Sequence, residues 1–438
     1  MNFHSVATAD ELPAQHPSQP VTRGYAWIVF ALTFGLLISD YMSRQVLNAV
    51  FPLLKADWNL SDSQLGSLAG VIALMVGFLT FPLSLLADRW GRVKSLVIMA
   101  LLWSAATLVC GISENFRQML LARLFVGVGE AAYGSVGIAV VLSVFPAHMR
   151  ATLTAAFMAG GLFGSVLGIS LGGVLAAHFG WRWAFFGMAA FGLALAINYF
   201  LIVRPARVEA PRCKSASGKQ QRPNRAALAT LVSTRSVLCA YFGSGLQLFI
   251  GSAVMAWMPS YLNRYYAMPL DRAGVTAAGF VLTAGLGMIL WGMLSDRLGR
   301  QSPERKLTLV IALCLASSIL LWTAFSLPHG TPQLALIALG MFFATGSTGP
   351  SGAMVANLTN PAVHGSAFAA LTLANNLLGL APAPFVVGLL ADRFGLQAAF
   401  EFVPLIGLLS AGVFLIAKRH YLADLRPAAA PKTEEIPA

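Results

Sequence analysis

The sequence predicts an all-α membrane protein of twelve transmembrane helices in two pseudo-symmetric six-helix bundles. Three observations carry this. The 438 residues are 57% hydrophobic and only 11% charged, where a soluble domain carries about 25% charge, and the mean hydropathy is +0.72. The apolar residues fall into twelve runs, each near the ~20 residues a helix needs to cross hydrocarbon. The second half of the chain also repeats motifs of the first.

The runs lie at about 25–52, 64–87, 95–113, 118–145, 152–177, 182–203, 236–262, 272–294, 306–327, 332–358, 365–390 and 398–417. Hydrophobicity is nearly continuous along each, which suits helices. Barrel strands are shorter and alternate. Residues 1–23 are polar, with Pro13, Pro17 and Pro20, and are expected to be a disordered tail rather than a signal peptide. A first bundle is then expected over 24–203 and a basic, Pro- and Ser-containing linker over 204–230. A second bundle follows over 231–418, and a tail over 419–438.

Orientation follows from the basic residues. Of the 29 Lys and Arg, 21 fall in the tails and even-numbered loops and six in the odd-numbered loops; Arg44 and Arg123 lie inside spans. This bias places both termini in the cytoplasm of a multi-pass plasma (cytoplasmic) membrane protein. It also explains the +12 charge without nucleic acid, which would need the bases gathered on one soluble face. Cys110, Cys213, Cys239 and Cys314 have no metal or disulfide spacing. Catalytic-triad, HExxH, CxxC, Walker and dinucleotide patterns are missing from the sequence, so neither an enzyme nor a metal or organic cofactor is expected.

The halves repeat twice over. LADRWGR (86–92) returns as LSDRLGR (294–300), and GVLAAHFGWRWAF (173–185) returns as GLLADRFGLQAAF (388–400). Two separate matches at nearly one period indicate duplication, and duplicated bundles place a ligand site at their interface near mid-membrane.

Charge inside an apolar span marks where function lies, because each buried ion costs about 2.5–3.5 kcal/mol on insertion scales. Asp40 and Arg44 stand i, i+4 on the first span and can pair. Arg123 and Glu130 stand two turns apart on the fourth, with Gly127 and Gly129 between them leaving room for a neighbouring helix or a ligand. Asp40 and Glu130 are candidate proton-coupling carboxylates, and Arg44 and Arg123 candidate anion contacts; a structural ion pair is the alternative in each case. Further candidate substrate contacts are Tyr41, Asn48, Tyr133, Gln247, Ser347, Asn375 and Asn376, with Tyr241 and Thr345 as weaker ones. TGSTGPSG (345–352) reads as an interrupted helix. Gly160, Gly164, Gly168 and Gly172 form a small-residue stripe for tight helix packing. Trp257 and Tyr261 read as interfacial aromatics.

SLLADRWGRVK (84–94) and GMLSDRLGRQ (292–301) resemble the G-x-x-x-D-R-x-G-R-K/R loop signature of the major facilitator superfamily, with Ser84 at the first glycine and Lys94 one place late. RLFVGVGEAAY (123–133) is similar to its fourth-span motif. DYMSRQVLNAVFP resembles the N-Y-x-D-R opening of anion:cation symporters and Spinster-like transporters, with Ser43 at the acid and Asp40 one turn earlier. The span-5 stripe resembles an antiporter motif with Ile169 in place of proline. The resemblance implies the major facilitator fold, monomeric and working by alternating access. Its gates would be the two loop motifs, Asp88, Arg89, Gly91 and Arg92, and Asp296, Arg297, Gly299 and Arg300. The function so implied is proton-coupled symport of a small organic anion, a carboxylate, with the proton as coupling ion. The alternatives are a Spinster-like carrier of lysolipid or amphipathic substrates, and a proton antiporter exporting a small molecule.

Overall fold

A computed structural model describes residues 22–208, 234–359 and 363–429. The expected N-terminal tail, most of the linker and the last part of the C-terminal tail lie outside them. Among the described residues, twelve helical segments are long and apolar enough to cross a membrane. Spans 1 to 6 are Arg23–Trp58, Asp62–Trp90, Arg92–Ile112, Phe116–Val144, Thr152–Phe179 and Trp181–Ile202. Spans 7 to 12 are Arg235–Tyr266, Leu270–Gly299, Glu304–Ser326, Thr331–Leu358, His364–Phe394 and Leu396–Leu425. The large side chains they leave exposed, such as Phe78, Leu121, Phe163, Phe200, Ile319 and Leu409, are apolar, as a surface facing lipid requires.

Local sequence sets the ends of the spans. Ser61 opens span 2 with a capping box: its Oγ accepts from Gln64 N while Gln64 Oε1 accepts from Ser61 N. Gly91 closes the same span at φ 105°, a conformation that side chains with a Cβ rarely adopt, so span 3 can begin at the next residue.

The two bundles make different contacts at their two ends. Call the end carrying both termini the near end. In the far halves, spans 2 and 11 pack together, as do spans 5 and 8, and one apolar core continues across both bundles. In the near half, spans 7, 9, 10, 11 and 12 close around a separate core of their own, including Val237, Leu307, Met354 and Phe414. A cleft of about 390 Å³ separates the near halves of spans 2 and 11, between Gly77–Pro82 and Ser366–Leu373. The molecule is therefore joined at its far end and parted at its near end.

Spans 4 and 10, equivalent under the internal repeat, are both broken. Span 10 stops at Ala344 and restarts at Thr348, as TGSTGPSG predicts. Span 4 stops at Glu130 and restarts at Tyr133, which the sequence reading did not foresee. Span 11 widens into a π turn over Asn376–Leu380. The glycine stripe of span 5 packs on span 1: a Cβ at Gly160, Gly164, Gly168 or Gly172 would meet Phe34, Ile38, Met42 or Val46 in turn. Trp257 and Tyr261 are not interfacial. Both are fully buried, with Trp257 Nε1 donating to Pro384 O of span 11 within the second bundle at 2.9 Å.

Candidate functional site

The charged residues of spans 1 and 4 meet where span 4 breaks. Arg44 donates to Glu130 Oε2 from Nε at 3.1 Å and from Nη2 at 2.9 Å, and its Nη2 lies 3.9 Å from Asp40 Oδ1. Asp40 and Glu130 thus both face the Arg44 guanidinium. Only Arg44 keeps appreciable access, at 19% of its side chain against 4% for Asp40 and 0% for Glu130. The Tyr41 ring lies 5.2 Å from the guanidinium carbon and stacks over Gly161 of span 5.

Arg123 does not pair with Glu130, although the two share a helix face. Its Nε donates to Leu68 O at 3.2 Å, Nη1 to Ser43 O at 2.9 Å and Nη2 to Arg44 O at 3.0 Å. It ties spans 1, 2 and 4 together and fixes the backbone from which Arg44 projects. Gly127 and Gly129 make room for helices rather than for a ligand: a Cβ would strike Met75 and Ile72 of span 2, or Trp103 of span 3.

The other candidate contacts divide. Tyr133 is buried, with its hydroxyl on Thr33 O at 2.7 Å and its ring edge-on to Trp103, so it holds the restart of span 4. Gln247 reaches into the second bundle, donating to Ser317 Oγ at 3.0 Å and to Ala344 O at the span 10 break at 3.2 Å. Ser347 is buried within that break and accepts at its carbonyl from Ser351. Thr345 Oγ1 donates to Ala284 O at 2.6 Å, and Tyr241 OH is 3.5 Å from Ala367 O. Asn48 donates to Gln45 Oε1 at 2.6 Å, and Gln45 touches Met255 Sδ across the bundle boundary at 3.2 Å. Asn375 and Asn376 sit where the π turn of span 11 begins. The side-chain oxygens of Asn48, Gln247, Asn375 and Asn376 are buried without a hydrogen-bond partner among the described residues.

The loop-motif residues expected to act as gates lie at the near end of spans 2 and 8. Asp88 bonds Arg92 of its own loop at 3.1 Å, and Asp296 lies 3.4 Å from Lys306; the two acids are 59% and 76% exposed. Gly299, expected to make a tight turn as Gly91 does, is helical instead. The helix runs on to Gln301, and the missing Cβ leaves space for the Lys306 side chain. Of Arg300, only the backbone is described.

The far end carries a lock that the sequence reading missed. Asp392 of span 11 accepts from Asp62 N at 2.7 Å and Ser63 N at 2.9 Å, capping span 2 with a carboxylate. Asp62 in turn takes both terminal nitrogens of Arg264, at 2.8 and 2.6 Å, and Lys55 Nζ at 2.6 Å. Around the lock, backbone meets backbone through glycine: a Cβ at Gly66 would lie 2.1 Å from Pro384 O, and one at Gly388 2.3 Å from Asp62 O. A signal was present. LADRFG (390–395) is a third copy of the D-R-x-G pattern of LADRWG (86–91) and LSDRLG (294–299). Its aspartate serves the opposite end of the molecule.

Twelve apolar spans in two pseudo-symmetric bundles, joined at one end and parted at the other around a buried ionic cluster, are the architecture of a membrane transporter. The chain belongs to the Major Facilitator Superfamily, which it matches over residues 33–325 and 237–437. It is 25% identical over 430 residues to protein spinster homolog 1 of Xenopus laevis, covering 89% of this chain and 80% of that one. It is 26% identical over 324 residues to a probable L-galactonate transporter of Escherichia coli K12, covering 71% and 70%. Its fold matches the crystal structure of a bacterial homologue of the human lysosomal transporter Spinster with a TM-score of 0.84 at 20% identity, over 92% of this chain and 99% of the other. The protein is accordingly a multi-pass membrane transporter and not an enzyme.

Proposed function

We propose that the protein imports a small, hydroxylated organic anion together with protons. The observation that carries this reading is the Arg44–Glu130–Asp40 cluster, with the base accessible and both acids buried. Arg44 is the contact for the carboxylate of the cargo, since a guanidinium pairs with carboxylate in a planar, two-bond geometry. In the structure Glu130 takes that place. When cargo takes the guanidinium, Glu130 loses its charge partner in a nearly dry site, where an unpaired carboxylate is costly, and a proton is the remedy. Asp40 Oδ1 and Glu130 Oε1 are buried without a hydrogen-bond partner among the described residues; a proton held between the carboxyls would give each one. Cargo and proton then favour each other's binding, as linkage requires.

The unpaired side-chain oxygens of Asn48, Asn375 and Asn376 call for donors, which the hydroxyls of a sugar acid supply. The E. coli relative's name points the same way. With the near end cytoplasmic, as the basic loops argue, the present form faces the cytoplasm. The far-end lock bars the outside, and the near-end loop motifs would close on each other in the opposite state. A thermal-shift screen of carboxylates, sugar acids and lysolipids on wild type and Arg44→Gln tests the reading. Stabilisation by sugar acids that disappears in the variant supports it; stabilisation by lysolipid alone, unchanged in the variant, overturns it. That second outcome would favour an amphipathic cargo entering through the cleft lined by Phe78, Phe81 and Leu373.

A further inference from the structure

A groove of about 480 Å³ runs between the near-end halves of spans 3 and 6, away from the ionic cluster. Its walls are Val97, Ile98, Leu101, Phe200 and Val203, and Lys94 stands at its edge. Ile98, Leu101 and Phe200 remain 42%, 38% and 67% exposed, so the groove opens on the outer surface of the bundle, where lipid lies. Residues 92–112 and 200–208 hold Arg92, Lys94, Arg204 and Arg207 and no acid. Arg92 is engaged by Asp88.

The mouth of the groove is built on fixed backbone. Tyr25 of span 1 donates its hydroxyl to Ile202 O at 3.3 Å and accepts from Arg204 N at 2.9 Å. The Arg207 guanidinium lies 5.4 Å from the centre of the same ring. Ser143 Oγ of span 4 lies 3.3 Å from Val208 O. The chain leaving span 6 is thereby anchored to spans 1 and 4, and Arg204 is held next to the groove-lining Val203 and Pro205.

From the apolar walls, the position on the lipid-facing surface and the bases that gather at one end with no acid among the described residues of that rim, we propose that this groove binds one anionic phospholipid of the near-end leaflet. One acyl chain lies against Val97, Leu101 and Phe200, and the phosphate headgroup is held by Lys94 and Arg204. Charge selects the occupant. A zwitterionic lipid would bring its own cation against these bases, whereas a net-anionic headgroup offsets them at about 1 kcal/mol per base near a membrane surface. That corresponds to about fivefold in affinity for each.

The test is native mass spectrometry of the full-length protein released from nanodiscs of mixed phosphatidylglycerol and phosphatidylcholine. Wild type should retain one phosphatidylglycerol in preference to phosphatidylcholine. Lys94→Gln should weaken that retention about fivefold and Lys94→Gln with Arg204→Gln about 25-fold. Leu101→Trp, which fills the groove, should abolish retention of either lipid. Arg150→Gln removes a base at the same end but outside the groove and should change nothing. All these side chains except Arg204 lie outside backbone-tethered turns, and circular dichroism with gel filtration checks the folding of each variant. Equal retention of the two lipids by wild type, unchanged retention in the double variant, or an Arg150→Gln loss equal to that of Lys94→Gln would each overturn the proposal.

Discussion

The two bundles share one architecture and differ in what they bury. At the repeat offsets, Asp40 corresponds to Gln247, Arg44 to Gly251 and Glu130 to Thr345. In the first bundle the span 4 break ends on a carboxylate held by an arginine. In the second, the span 10 break is met by a neutral amide, Gln247 on Ala344 O. The charged residues of the second bundle lie toward the span ends, where Arg264 and Asp392 close the far side. On the function proposed above, the duplication has divided labour: one half holds the ions that would respond to cargo and proton, and the other supplies shape and closure. The difference also explains why the repeat survives in turns and helix breaks while the buried polar residues have diverged.

The largest effect should come from Arg44→Ala. Removing one partner of a buried pair costs about 3–5 kcal/mol, and the anion contact goes with it. Uptake in proteoliposomes should fall by about 100-fold or more, with a lower Tm. Gly251→Ala, at the corresponding place in the second bundle, should do neither, since a Cβ there meets nothing within 4 Å. Steric changes separate assembly from closure. Gly66→Val should leave each bundle folded but keep the far ends apart, since its side chain would enter the space of Pro384 O; transport stops while Tm changes little. Gly164→Val should instead overpack span 5 on Ile38 and Tyr41 within one bundle, at a cost of about 1–3 kcal/mol, and lower the Tm. Equal Tm losses for the two would break the division between them.

Asp392→Asn should have an intermediate effect. A carboxylate at a helix N-terminus contributes up to ~2 kcal/mol in partly buried geometry, so its loss should shift the population by about tenfold toward the form open at the far end. Spin-label distances across spans 2 and 11 would read this, while substrate affinity at the ionic cluster stays within a small factor. Gln247→Leu should be the mildest, removing hydrogen bonds worth about 1 kcal/mol inside the second bundle and lowering uptake by a few-fold. A loss as deep as that of Arg44→Ala would show that the second bundle also holds the coupling site.

Much of the fold is written in composition. Twelve runs and two repeats follow from hydropathy and from the D-R-x-G motifs, because lipid leaves the backbone no option but the helix. The TGSTGPSG break is legible because glycine and proline announce it. The break after Glu130 is not, since Ala131 and Ala132 are good helix formers and only tertiary contacts, such as Thr80 Oγ1 on Ala131 O, sustain it. Asp40, Arg44 and Glu130 stand out because charge is rare in apolar spans. Which partners they choose is a matter of packing: Arg123 has the right helix face for Glu130, yet binds carbonyls of three neighbouring residues. The D-R-x-G pattern around Asp392 gives no hint in the sequence that its partner lies 330 residues away.

The account rests on Glu130 exchanging its arginine for a proton when cargo arrives. The direct measurement compares uptake by wild type and Glu130→Gln in proteoliposomes, with and without an imposed proton gradient. The neutral amide should still support exchange of cargo across the membrane, yet fail to concentrate it when the gradient is applied. If Glu130→Gln accumulates cargo against its gradient as wild type does, the carboxylate plays no part in coupling and the account is wrong.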